Sequence, residues 1–153
     1  LSDGTPINFD RVYTFSKSKA GLDGKILNLT SDYQVFLFDD ESDEEANNTK
    51  IRIYVNELNL SSPVTIDDLS ITSASNPPIE LPTDLSVESG ISYFDLEFLS
   101  GSSDSKKVSS KEQLPITIQV VKDTLIDSLS INKLEGGAAS SPVFFILPVN
   151  ELK

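Results

Sequence analysis

The chain reads as an all-β domain, a β-sandwich of about eight to ten short strands with little or no helix. Three observations predict this. Apolar residues recur with period two in several segments, the stretches between them are rich in Ser, Asp, Asn, Gly and Pro, and helical periodicity is nearly absent. Successive side chains of a strand point to opposite faces, so period two marks a sheet with one face buried.

Taken in order, Phe9 to Phe15 is a first, weakly patterned strand. Leu22-Asp23-Gly24-Lys25 carries a D-G pair, a hairpin-turn signal, and Lys25 to Leu29 and Tyr33 to Phe38 follow as weak strands. Lys50 to Val55 alternates cleanly, with Ile51, Ile53 and Val55 on one face and Lys50, Arg52 and Tyr54 on the other. Val64 to Ile71 is a weaker strand. The prolines at 77, 78 and 82 exclude a central strand from Thr72 to Pro82. Ser92 to Leu99 points Phe94, Leu96 and Phe98 inward, opposite Tyr93, Asp95 and Glu97. Ser100 to Ser110 is mostly Gly, Ser, Asp and Lys and reads as a long hairpin connection. Leu114, Ile116, Ile118 and Val120 form a third alternating set opposite Thr117 and Gln119, and Leu125 to Ile131 is a further strand. Gly136 and Gly137 read as a hinge before the last apolar segment.

Strands at this spacing fit an immunoglobulin-like or a jelly-roll sandwich, and the pattern does not choose between them. The 153 residues fit one domain, 1–153, with 138–153 as a terminal strand that can be exchanged between subunits. The composition shift over Lys122 to Gly137 is not a domain boundary. The pattern resembles many immunoglobulin-like surface modules, and no motif selects one family.

Composition excludes several functions. Cys, His, Met and Trp are all absent. Without Cys and His there is no Ser-His-Asp or Cys-His site, and zinc lacks its usual ligands. No P-loop or Gly-rich phosphate cradle is present. A carboxylate-pair glycosidase is chemically conceivable, but Asp67, Asp68, Asp95 and Glu97 read as outward strand or loop charges, and a sugar cleft would want Trp. No enzymatic activity is expected. The formal charge of −12 opposes nucleic-acid binding and docking on anionic lipid. The longest apolar run is strand-sized, far short of the roughly 20 residues of a membrane helix. The chain begins at Leu1 with no visible signal segment, as a mature or cloned fragment would. The missing reactive residues and the acidic, Ser-rich surface point to a secreted or cell-surface location.

Two segments stand out. Asp39-Asp40-Glu41-Ser42-Asp43-Glu44-Glu45 contains six carboxylates in seven residues. Asp39, Glu41, Asp43 and Glu45 are the candidate calcium ligands, at the alternate spacing of an EF-hand loop. The pattern then departs from that loop, because Glu44 stands at the glycine position and Lys50 at that of the bidentate Glu. The plainer reading is a solvated loop tip that blocks stray edge pairing. The second segment runs from Ser141 to Val149 and is apolar on both faces. Val143, Phe145, Leu147 and Val149 point one way, Phe144, Ile146 and Pro148 the other. Such a strand is buried on both sides or meets another chain. Val143, Phe144, Phe145, Ile146, Leu147 and Val149 are therefore the candidate strand-exchange interface, with Ile7 to Phe15 as a second terminal strand able to do the same.

Asn28, Asn47 and Asn59 open N-glycosylation sequons, with Asn47 and Asn59 in loops. Tyr13, Tyr33, Tyr54 and Tyr93 could stack a sugar if several shared one face. The expected function is a self-assembling surface filament, pilus-like or adhesive-layer subunit, joined by strand exchange with identical subunits. The alternative is a monomeric glycan-binding or adhesin module of a larger surface protein. No cofactor is expected, calcium excepted.

Overall fold

Alternation of apolar and polar side chains becomes, in three dimensions, two sheets that face each other. The computed structural model describes residues 24–136. The described strands are β1 (Ile26–Ser31), β2 (Val35–Phe38), β3 (Lys50–Leu58), β4 (Leu69–Ser73), β5 (Ser86–Glu88), β6 (Ile91–Phe98), β7 (Lys107–Val108), β8 (Ile116–Lys122) and β9 (Leu125–Glu135). One sheet has the order β1-β3-β6-β5 with β7 beside β6; the other has β2-β9-β8-β4. This is the order A-B-E-D facing A′-G-F-C of an immunoglobulin-like sandwich, and it selects that topology over the jelly roll.

The three clean sets point as the alternation requires. Ile51, Ile53 and Val55, then Phe94, Leu96 and Phe98, then Ile116, Ile118 and Val120 are all buried. Between the sheets they meet Leu27, Leu29, Phe36, Phe38, Leu129 and Ile131. Phe98 is the hub of one end, with its ring centroid 5.5 Å from that of Phe36 and 5.3 Å from that of Phe38. Each fully buried Ile or Phe contributes about 1.5–3 kcal/mol, so this shared interior is the main stabilising term.

Turn chemistry sets the hairpins. β5 and β6 are joined by Ser89 and Gly90, at φ 53° and 79°. Two left-handed residues make the tight turn whose twist matches the strands, and glycine takes that conformation without strain. β8 and β9 are joined by Asp123 and Thr124, with Asp123 at φ 56°.

Three expectations need correction, and one strand was not expected. Ser100 to Ser110 is not a simple hairpin connection: Lys107 and Val108 form β7, parallel to β6, and Val108 is fully buried. A single apolar residue in a polar stretch carries no periodicity, so the strand was invisible. Val64 to Ile71 begins as a 3-10 turn at Ile66–Asp68, where the Asp68 carboxylate accepts from the Thr65 backbone, and the strand starts only at Leu69. Leu114 precedes Pro115 and lies outside β8, after the 3-10 turn Lys111–Gln113. Ser86–Glu88 pairs with β6 although all three residues are exposed. Phe9 to Phe15 and the segment after Gly136 lie outside the described residues.

Two edges of the sandwich are closed by side chains. The Asn48 amide lies along β2, its Oδ1 accepting from Leu37 N at 2.7 Å and its Nδ2 donating to Val35 O at 2.9 Å. Asn47 N also donates to Leu37 O. On the other sheet, Leu29 N of β1 donates to the carboxylate of Asp127 in β9 at 2.9 Å. Asp127 occupies an inward register position and is only 5 % exposed. It is where a core residue was due, and its buried charge is matched to an otherwise unpaired edge N–H.

Candidate functional site

The acidic loop follows β2 and is organised by a lysine distant in sequence. Lys111, 4 % exposed, sits in the second 3-10 turn. Its Nζ donates to Glu41 O, to Asp43 O at 2.9 Å and to the Glu135 carboxylate at 3.4 Å, and lies 5.5 Å from the centroid of the Phe38 ring. An ammonium has three donors, and all three are used. The carboxylates act mainly within the loop. Asp40 accepts from the Ser42 backbone and hydroxyl, Asp43 from Glu45 N, and Asp39 from Asn47 Nδ2. The Ser42 hydrogen bonds hold the Asp40 carboxyl below its ordinary pKa. Glu135 is lowered likewise, first by Lys133 and then by Lys111.

Of the calcium candidates, Asp39, Glu41 and Glu45 are exposed and Asp43 is half-buried. Among the described residues no three acidic side chains gather to hold a metal ion. The backbone oxygens of Glu41 and Asp43, hard ligands of the kind calcium takes, are bound to Lys111 instead. Nothing in the local sequence around Lys111 announces this role.

The outer face of the β1-β3-β6-β5 sheet carries a second cluster. Cross-strand register puts Tyr54 opposite Tyr93 and Arg52 opposite Asp95. Arg52 forms a two-point contact with Asp95, at 2.8 and 3.2 Å, and reaches Glu88 of β5 at 2.8 Å. Its guanidinium lies 3.9 Å from the centre of the Tyr93 ring, and the Tyr54 and Tyr93 centroids are 6.4 Å apart. The Arg52 hydrogen bonds, outweighing partial burial, hold the Asp95 carboxyl below its ordinary value, and the same bonds raise the guanidinium. Lys50 and the Lys107–Glu97 pair continue the ladder. The predicted outward tyrosines thus share one face, although Arg52 covers one side of the Tyr93 ring. Tyr33 stands apart, 53 % exposed, and Tyr13 lies outside the described residues.

Sequon residues Asn47 and Asn59 are exposed and Asn28 is half-buried in β1. Asn59 sits at φ 59° and donates from Nδ2 to Gly24 O at 3.3 Å. Its type is accounted for by that left-handed turn, which Asn tolerates. The candidate strand-exchange residues Val143, Phe144, Phe145, Ile146, Leu147 and Val149 lie outside the described residues. No described helix is long and apolar enough to cross a membrane. Comparison with protein families, with curated proteins and with solved structures finds no match, so the immunoglobulin-like reading rests on strand order alone.

Proposed function

We propose that the chain is a non-enzymatic extracellular structural protein, a self-associating filament, pilus-like or adhesive-layer subunit joined by its apolar segment 142–149. One observation carries this reading. Every strand position of the sandwich, A through G, is filled by residues between Ile26 and Glu135. The two-sided apolar segment is not needed to complete that described strand set, and a strand-sized apolar sequence calls for a partner. Asn48 covers the β2 edge and Asp127 takes one N–H of the β1 edge, so β4, and β5 with β7 beside it, are the more open described edges for strand addition.

The test is particle size by light scattering after gel filtration, on the full chain and on a chain ending at Ser141. The full chain is expected to form concentration-dependent polymers and the truncated chain a monomer with an unchanged melting temperature. Polymers that persist after truncation, or a full chain that stays near 16.7 kDa at all concentrations, would overturn the reading.

The Tyr54–Tyr93 pairing favours a second reading, a monomeric glycan-binding or adhesin module of a larger surface protein. It requires that Tyr54→Ala abolish binding to at least one sugar on a glycan array.

A further inference from the structure

We propose that the domain is built to carry tension along its length, with β1 and β2 forming a shear clamp between the point where the chain enters and the point where it leaves. This goes beyond self-association and does not depend on it, since a monomeric module can also bear load.

Strand direction is the basis. β2 is parallel to β9, in register from Val35↔Asn132 to Phe38↔Glu135. β1 runs the same way: Leu29 lies against Asp127 of β9 and Val35 against Asn132, so both partners advance together. Entry at Lys25 and exit at Gly136 are thus at opposite ends of the sandwich. Opposed forces at those two points slide β1 along β3 and β2 along β9, parallel to the strand axes. Hydrogen bonds lying across such a pull, perpendicular in the antiparallel β1–β3 pair and evenly spaced but slanted in the parallel β2–β9 pair, are loaded together, whereas a pull across a sheet opens them one at a time.

Several contacts fasten the two strands at their ends. Gln34 O accepts from Asn132 N at one end of β2, and Phe38 O accepts from Gly136 N at the other, extending the pair beyond the strands. Asn48 holds β2 from its opposite side. Lys111 bridges the carbonyls that follow β2 to Glu135 at the end of β9, which ties the two loaded strands at the exit. The buried Asp127–Leu29 contact ties β1 to β9.

The experiment is single-molecule pulling on the full chain through two introduced cysteines, which are the only thiols because the sequence has none. Attachment at Lys25→Cys and Gly136→Cys loads the clamp end to end. Attachment at Gln34→Cys and Ser130→Cys, both exposed, pulls across the sheet at one end of the β2–β9 pair. At equal loading rate the first geometry is expected to need a several-fold higher unfolding force. Equal forces, or a weaker end-to-end response, would overturn the proposal. Lys111→Met supplies a second readout. It should speed end-to-end unfolding under constant load by about tenfold, the loss expected for charge-assisted hydrogen bonds, and leave the cross-sheet force unchanged. A loss shared equally by both geometries would mean that Lys111 only stabilises the fold, and would remove it from the clamp. The comparison of attachments needs no core substitution and stands whether or not that variant folds.

Discussion

Replacing Asp127 tests the closure of the sandwich edge. Its carboxylate receives the Leu29 N–H at 2.9 Å, beside a core made mostly of Leu, Ile, Val and Phe. Asp127→Ala leaves that buried N–H without an acceptor. A hydrogen bond to a charged group is worth about 1.5–3 kcal/mol, and the cavity left by so short a side chain adds little, so a loss of about 2–3 kcal/mol is expected. Asp127→Asn keeps an acceptor oxygen in place and should cost less than about 1 kcal/mol. Asp127→Leu restores the apolar alternation and should regain part of the loss through burial, while the N–H stays orphaned. The assay is urea unfolding, where slopes of roughly 1–3 kcal/mol per molar convert the Ala loss into a midpoint shift of about 1 M. Amide exchange at Leu29 should quicken in the Ala and Leu variants alone. The reasoning fails if the Ala variant unfolds within about 0.5 kcal/mol of the parent, or if Asn costs as much as Ala.

Acid should destabilise the domain through specific carboxyls. Asp40, Asp95 and Glu135 are all lowered from ordinary values of 3.8 for Asp and 4.5 for Glu. They bind fewer protons folded than unfolded, so their stabilisation is complete above those values and is lost as pH falls through and below them. Asp95→Asn should lower the melting temperature at neutral pH and flatten its further fall into acid; an unchanged acid limb would show that the Arg52 pair does not contribute. Calcium gives a contrasting expectation. With Lys111 holding the Glu41 and Asp43 carbonyls, millimolar calcium should leave the melting temperature where it is, and a saturable rise would show that the carboxylates bind the ion after all.

The two clusters share a physical logic. In a chain of charge −12, two of the described cations are each placed where they do several things at once. Arg52 spans β5, β3 and β6 and covers Tyr93, and Lys111 joins a loop to a strand terminus. Exposed ion pairs contribute little singly, so the Arg52 ladder acts more to fix the cross-strand register than to add stability, whereas Lys111 is buried and costly to remove.

The class and most of the interior were legible in the order of residues alone. Where residues alternated, as from Ile51 to Val55, Phe94 to Phe98 and Ile116 to Val120, the pleat left one solution, because a shift of one residue would expose the whole apolar set. Asp127 stands in the inward register of Leu125, Leu129 and Ile131, and what its carboxylate meets is visible only in the assembled sheets. Topology, edge closure and the pairing of side chains far apart in sequence emerge only when the two sheets are assembled. Lys111 lies 70 residues from Glu41, and Asp127 lies 98 from Leu29. Local pattern reports which face of a strand is buried, whereas the partner across the sandwich depends on how the two sheets are ordered and on where each strand ends.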